Sequence, residues 1–326
     1  MAGGQERILR RRIKSVESTK KITRAMELIA ATRVVKAQDR AAASRPYAEE
    51  ITAVILDLVR AGAARESTLL QSYDDARTSA LVVITSDRGL CGAYNSTVIR
   101  NAEREILDRR ADGLDYALYV VGKKAQSYFN YRGYKIEESF LGVTDQPDYE
   151  QARAIAEAVR QRFEAGEFRE VDLVYWRFLS AGTQEPVIRR FLPLQVDDGG
   201  DADGEPTSDL EYEPNPTVIL DELLPRYIES RIYSALLDAS ASEHAARQRA
   251  MKAATDNAEE LKITLARVMN RARQDAITTE IMEIVGGAEA LKGDKATSEE
   301  LLPSLLNPAH IFPDHLDRLD QSVSGH

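Results

Sequence analysis

The 326 residues suffice for one large or two ordinary domains, and 43% hydrophobic with 29% charged residues excludes a disordered chain. A single cysteine excludes an intramolecular disulfide framework and a Cys-rich zinc site, and no apolar run approaches the ~18 residues of a membrane span. The net charge of −10 hides segregation: residues 1–45 carry twelve Lys or Arg against four Asp or Glu, whereas residues 197–213 carry eight acidic and no basic groups. Such asymmetry marks partner surfaces.

The N-terminal segment predicts one long helix, because no Pro or Gly interrupts Gln5 to Arg45. Val16, Thr19, Thr23, Met26, Ala30, Arg33 and Ala37 form a stripe with steps of three and four. A second set, Ile22, Ala25, Ile29, Thr32 and Val35, lies beside it, so a broad buried face is expected. Pro46 is expected to kink or restart the helix, and the pattern resumes through Ile51, Val54, Ile55 and Leu58 and stops near Gly62. The basic, non-apolar start is no secretory signal.

Residues 78–195 change character: short apolar runs alternate with helical patterns. Strands are expected at 79–85, 115–121, 136–143, 171–180 and 186–194, the last two as a hairpin. Helices are expected at 96–110, with Ser96 as N-cap, at 123–131 and at 148–164. This alternation predicts a mostly parallel α/β sheet.

Residues 196–216 read as an acidic loop or insert. Residues 217–288 then read as a second long helix, its strong pattern beginning near Pro225. Leu261, Leu265, Val268, Ala272, Ile277, Ile281 and Ile284 form its stripe, and Gly286 or Gly287 is the expected C-cap. About 60 helical residues span about 90 Å, too long for a globule, so the helix needs a partner, and the N-terminal helix is the obvious one. Residues 289–326 form a Pro-punctuated extension. No 30–50-residue self-similarity supports an array of helical repeats.

The stretch "LVVITSDRGLCGAYNS" (81–96) has the strand–glycine loop–helix layout that holds phosphate in many α/β proteins. Its glycines, Gly89 and Gly92, match neither a dinucleotide nor a P-loop fingerprint, so a structural turn or partner contact is the better reading. Cys91 has no histidine nearby in sequence, since all four lie from His244 onward, and is read as a packed residue rather than a nucleophile. The acidic run at 197–205 misses the key EF-hand ligands: Gly199 falls at position 1 and Leu210 at position 12. No catalytic residue, cofactor site or metal site is therefore expected. The basic first helix fits nucleic acid or an acidic protein partner equally.

Four segments in order decide between these readings. "KSVESTKKITRAMELIAATRVVKAQ" (14–38), "SDRGLCGAYN" (86–95), "MKAATDNAEEL" (251–261) and "RARQDAITTEIMEIVGGAEAL" (271–291) together resemble the gamma subunit of the rotary, proton-driven ATP synthase. The resemblance covers about residues 3–291. It implies an α/β plus all-α fold: a long antiparallel coiled coil of N-terminal (1–62) and C-terminal (217–288) helices with an inserted Rossmann-like foot domain (78–195). It implies a non-catalytic rotor shaft without cofactors. The implied partners are three alpha and three beta subunits, epsilon and the c-subunit ring, with membrane contact only through that ring. Nucleotide would bind on the head.

The resemblance also assigns contacts. Arg273 and Gln274 resemble the pair that catches a beta-subunit loop, and Thr278, Glu280 and Glu283 match polar positions on the same upper shaft. Met26 matches a position near beta's lower lip, and Lys20, Lys21 and Arg24 are basic groups that would face it. Arg88 and Cys91 would lie where foot meets head, and Tyr212 and Glu213 resemble the region resting on the c ring. No transit-peptide-like start is present, which favours a bacterial member at the cytoplasmic face of the cell membrane. One cysteine excludes the paired-cysteine redox switch of chloroplast gamma subunits. The extension is expected to pack at the closed end of the head or to be disordered, and the acidic insert to be a solvated loop near the c ring or epsilon. A basic coiled-coil nucleic-acid-binding protein is the alternative, and an enzyme at the glycine loop the third reading.

Overall fold

A computed structural model describes residues 2–63, 67–194, 213 and 215–292. Most of the acidic insert, including Tyr212, and nearly all of the C-terminal extension lie outside the described residues. Among the described residues, those within 17–259 form one compact unit, and 2–16 with 260–292 form another.

The first unit is built on a five-stranded sheet: β1 (Thr78–Ile84), β2 (Asp115–Val121), β3 (Ile136–Phe140), β4 (Glu170–Phe178) and β5 (Gln184–Leu192), in the order β3-β2-β1-β4-β5. The first four strands are mutually parallel, and β5 returns antiparallel along β4 as the expected hairpin. Crossing from β3 through β1 to β4 gives the Rossmann-like order. Helices α2 (Tyr94–Ala111), α3 (Lys123–Tyr131) and α4 (Tyr149–Glu164) make the crossovers.

Both faces are covered, which is why the strands read as continuous apolar runs. Leu81, Val83, Leu118, Val120 and Val174 point to one face and pack on Val98, Ala102 and Ile106 of α2 and Phe129 of α3. Ala80, Val82, Ile84, Tyr119, Leu173 and Tyr175 point to the other. There they meet α4 and turns of two long helices, α1 (Ala2–Arg60) and α5 (Pro216–Lys292). Ile51, Ile55 and Leu58 represent α1 in that core; Leu224, Ile228, Ile232 and Leu236 represent α5.

Several expectations change. Of the two outcomes expected at Pro46, the restart does not occur: α1 continues through it, and the turns after it are held by the core contacts of Ile51, Ile55 and Leu58. The second apolar set of α1 is not buried: Ile22, Ile29 and Val35 are each more than half exposed. The buried stripe runs through Thr23, Ala30, Val34 and Ala37 alone, a narrow seam of small side chains. Ser96 is no N-cap; α2 starts at Tyr94, and Ser96 Oγ donates instead to the Ala93 carbonyl. The capping device appears at α4, where Asp148 Oδ1 accepts from Gln151 N (2.8 Å) and Gln151 Oε1 accepts from Asp148 N (3.1 Å). Helix α5 begins at Pro216, ahead of Pro225, and runs past Gly286 and Gly287 to Lys292, with neither glycine at positive φ.

In the second unit only Leu9 and Leu265 are buried apolar side chains among the described residues. Leu261, Val268, Ile277, Ile281 and Ile284 stay exposed, against expectation. Length explains it: α1 supplies residues 2–16 to this unit, about 22 Å of helix, against about 50 Å from residues 260–292 of α5.

Candidate functional site

The start of the glycine loop after β1 is tied to the neighbouring connections by the chain's own groups, while α2, the helix that follows the loop, begins without a side-chain cap. The first backbone N–H groups of a helix attract anions. At α3 that position is taken by the Asp87 carboxylate: its Oδ1 accepts from Lys123 N (3.1 Å) and from Gly142 N (3.1 Å). Thr85 Oγ1 accepts from Ala125 N two residues further on in the same turn (3.0 Å). Gly122 ends β2 at φ 93° because a Cβ there would stand 2.3 Å from the Thr85 carbonyl oxygen. The carboxyl ends of β1 and β2 are thus laced by internal hydrogen bonds.

The loop turns two residues outward and one inward. Arg88 and Leu90 are exposed, and Leu90 adopts φ 65° without being glycine. Such left-handed residues cluster at functional positions. Cys91 is buried: it takes a hydrogen bond from Asn95 Nδ2 (3.1 Å), and burial pushes its thiol pKa up. It is therefore neither a thiolate nucleophile nor a surface contact.

Helix α5 supplies charge under this loop that linear spacing hides. Arg247 Nη2 reaches Gly89 O (3.4 Å) and Glu243 Oε1 (2.5 Å). His244 Nε2 lies 3.3 Å from Asp145 O, and Asp145 ion-pairs with Arg33 of α1. Burial lowers the His244 pKa to about 4, so the ring is neutral at pH 7. Burial raises Glu243 to about 7 against the pull of Arg247. A histidine does reach the loop's neighbourhood, but hydrogen-bonded to backbone rather than aimed at Cys91. The missed signal is "ASASEHAAR" (239–247): small residues imply close helix approach, so a Glu and an Arg four apart among them must be buried and paired. A neighbouring cavity of about 320 Å³ is lined by Cys91, Tyr94, Trp176, Ser242 and Arg249, and Arg249 is committed to Ala181 O (3.0 Å) and Gln184. Among the described residues no group of His, Cys, Asp and Glu could hold a metal.

The expected contact residues fall in three places. Lys20 Nζ pairs with Glu259 (2.5 Å), Arg24 pairs with Glu27 (2.9 Å), Lys21 is exposed and Met26 half-buried. Thr23 Oγ1 meets Thr255 Oγ1 at 2.8 Å, so in this stretch α5 numbers fall as α1 numbers rise. Arg273, Gln274, Thr278, Glu280 and Glu283 are all exposed on α5. At about 100° per residue, Arg273, Glu280 and Glu283 share one side while Gln274 and Thr278 share another. Glu213 is exposed, and Tyr212 lies outside the described residues.

A family model described as ATP synthase matches residues 5–291. The ATP synthase gamma chain of Parafrankia sp. is 50% identical over 297 residues, covering 88% of this chain and 98% of the relative. That of Streptomyces coelicolor is 46% identical, covering 91% and 99%. Among solved structures, a chain of the Tetrahymena thermophila mitochondrial ATP synthase central stalk and c-ring superposes with TM-score 0.55 at 27% identity, over 72% of this chain and 99% of that one. A chain of the Euglena gracilis enzyme, at TM-score 0.62 and 18% identity over 91% and 98%, shares the fold.

Proposed function

The chain belongs to the ATP synthase gamma-chain family, and we infer that it is the central-stalk rotor subunit, coupling rotation of the membrane c ring to the alpha/beta catalytic head. The observation that carries this is near-full-length identity of 50% to a curated gamma chain. The chain is a non-catalytic subunit whose partners are the alpha and beta subunits and the c ring. The nucleic-acid alternative finds no support in these relatives.

The finer architecture is our reading. The helices of residues 1–62 and 217–288 wind as an antiparallel coiled coil, and residues 78–195 form a foot inserted between them. The Lys20–Glu259 and Thr23–Thr255 contacts support the antiparallel sense. Epsilon and the c ring contact the foot side, near Tyr212 and Glu213. The subunit sits peripherally at the cytoplasmic face of a bacterial membrane; no helix among the described residues is long and apolar enough to cross one.

One asymmetric shaft biases three identical sites only through different contacts with each. Moving a two-state equilibrium from 1:99 to 99:1 takes ~5.5 kcal/mol. A few charged hydrogen bonds at ~1.5–3 kcal/mol each supply that, and exposed Arg273, Gln274, Thr278, Glu280 and Glu283 are the groups we assign to the catch. Lys21, Arg24, Met26, Arg88 and Leu90 are assigned to beta's lower lip. Lys20 contributes less there because it is paired with Glu259, and buried Cys91 supports the loop from within. Reconstitution with alpha and beta, comparing Arg273→Ala and Gln274→Ala, should lower the ATPase rate. Unchanged rates in both would remove the catch, and co-purification of nucleic acid instead of alpha and beta would remove the rotor.

A further inference from the structure

Apolar packing resists separation of the terminal helices from the sheet, but it is non-directional. Directional contacts between them concentrate at one end of the sheet. Asp145, in the 141–148 connection, ion-pairs with Arg33 of α1, and its neighbour Gln146 accepts from Arg40 of α1 (3.5 Å). The Asp145 carbonyl accepts from Ser240 Oγ (3.4 Å) and faces His244 Nε2 (3.3 Å), both on α5. Thr144 Oγ1 donates to Asp87 Oδ2 (3.2 Å) and accepts from Asp87 N (3.2 Å), tying this connection to the glycine loop. Two residues on, the loop's Gly89 carbonyl takes the Arg247 guanidinium of α5. A closed polar circuit therefore runs from α1 through Asp145, Thr144, Asp87 and Gly89 to α5.

The α5 side of this circuit is withdrawn from water, Thr144 at 2% and Arg247 at 7% exposed with Glu243 and His244 beside them at 2%, whereas the Arg33 and Asp145 side chains keep 32% and 28% of their exposure. Buried ion pairs add little net stability, and their best-attested use is to fix a unique arrangement. Sliding or turning either helix against the sheet would break several of these bonds at once and strand buried charge. We propose that Asp145 and Arg247 are positioning residues of the rotor, keying both terminal helices to the loop end of the sheet so that torque passes between them without slip. This rests on the rotor reading given above.

The test uses the complete ATP synthase in sealed vesicles, recording ATP hydrolysis and ATP-driven proton pumping together. Asp145→Arg should lower the ratio of pumping to hydrolysis severalfold while hydrolysis persists, and the swap Arg33→Asp with Asp145→Arg should restore it. Where Asp145→Arg fails to assemble, Asp145→Asn and Arg247→Met should still lower the ratio. A ratio equal to wild type in the assembled variants, or a swap that restores nothing, overturns the joint. Wild-type vesicles that pump equally well without this chain would overturn the rotor reading instead.

Discussion

Arg247 Nη2 lies 2.5 Å from one carboxylate oxygen of Glu243, and the other oxygen of that carboxylate is buried without a hydrogen-bond partner among the described residues. A buried oxygen without a donor favours a proton on the group. Burial accordingly raises Glu243 from 4.5 to about 7, with Asp145 and Asp87 adding to the rise and Arg247 opposing it.

The sign follows from linkage. The folded chain holds a proton that the unfolded chain releases above pH 4.5, so this group's stabilisation falls as pH rises from about 4.5 to about 7. The loss amounts to about 3 kcal/mol at about 1.4 kcal/mol per pH unit. His244 acts oppositely: its stabilisation is complete above 6.5 and is lost as pH falls toward about 4. Glu243→Gln should therefore be more stable than wild type at pH 8 and gain little at pH 4.5. Denaturant melts of the full chain at both values check this, and parallel profiles would refute it.

Gly122→Ala should be among the most damaging single changes. A Cβ would lie 2.3 Å from the Thr85 carbonyl oxygen, at a φ of 93°. A loss above about 4 kcal/mol is expected. Gly133→Ala, at φ 77° with nothing within 4 Å, should cost about 1–2 kcal/mol for the backbone alone. Equal melting temperatures for the two variants would contradict the packing argument.

Asp172→Ala should cost about 3–5 kcal/mol. Asp172 is 2% exposed and holds both Arg109 Nη2 (2.6 Å) and Arg190 Nε (2.7 Å), with Glu170 sharing the two arginines. Its removal leaves the guanidinium groups of Arg109 on α2 and Arg190 on β5 with one carboxylate, Glu170 of β4. Chemical denaturation gives the value; a change below about 1 kcal/mol would mean that the network relaxes into water.

Ile29→Asp separates stability from assembly. Ile22, Ile29 and Val35 are exposed on α1, so the isolated chain should change by no more than about 0.5 kcal/mol. If Ile22 and Ile29, two turns apart on one side of α1, face the head subunits, the variant should assemble poorly with alpha and beta. Normal assembly measured by size exclusion would show that this side faces solvent in the complex.

Strand positions were legible because parallel strands buried on both faces must be apolar throughout, as in Ala80–Ile84 and Ala117–Val121. The contacts assigned to α5 rest on resemblance alone, and nothing in their spacing sets those residues on one side of the helix. Periodicity alone overstates the burial of α1. Ile22 and Ile29 fit the periodicity as well as Ala30 and Val34 do, yet only the second pair faces this chain's own interior.

The sequence alone determined that long terminal helices flank an α/β centre, since periodicity and turn residues are local properties of the chain. It also determined that the glycine loop lacks a phosphate fingerprint. Only the tertiary structure decided which distant groups the loop's residues meet. The Asp87 carboxylate sits on the first turn of α3, and Arg247 reaches the Gly89 carbonyl from a helix 158 residues away. Such pairings depend on how elements pack, and a charge pattern does not say which distant group will meet it once water is excluded.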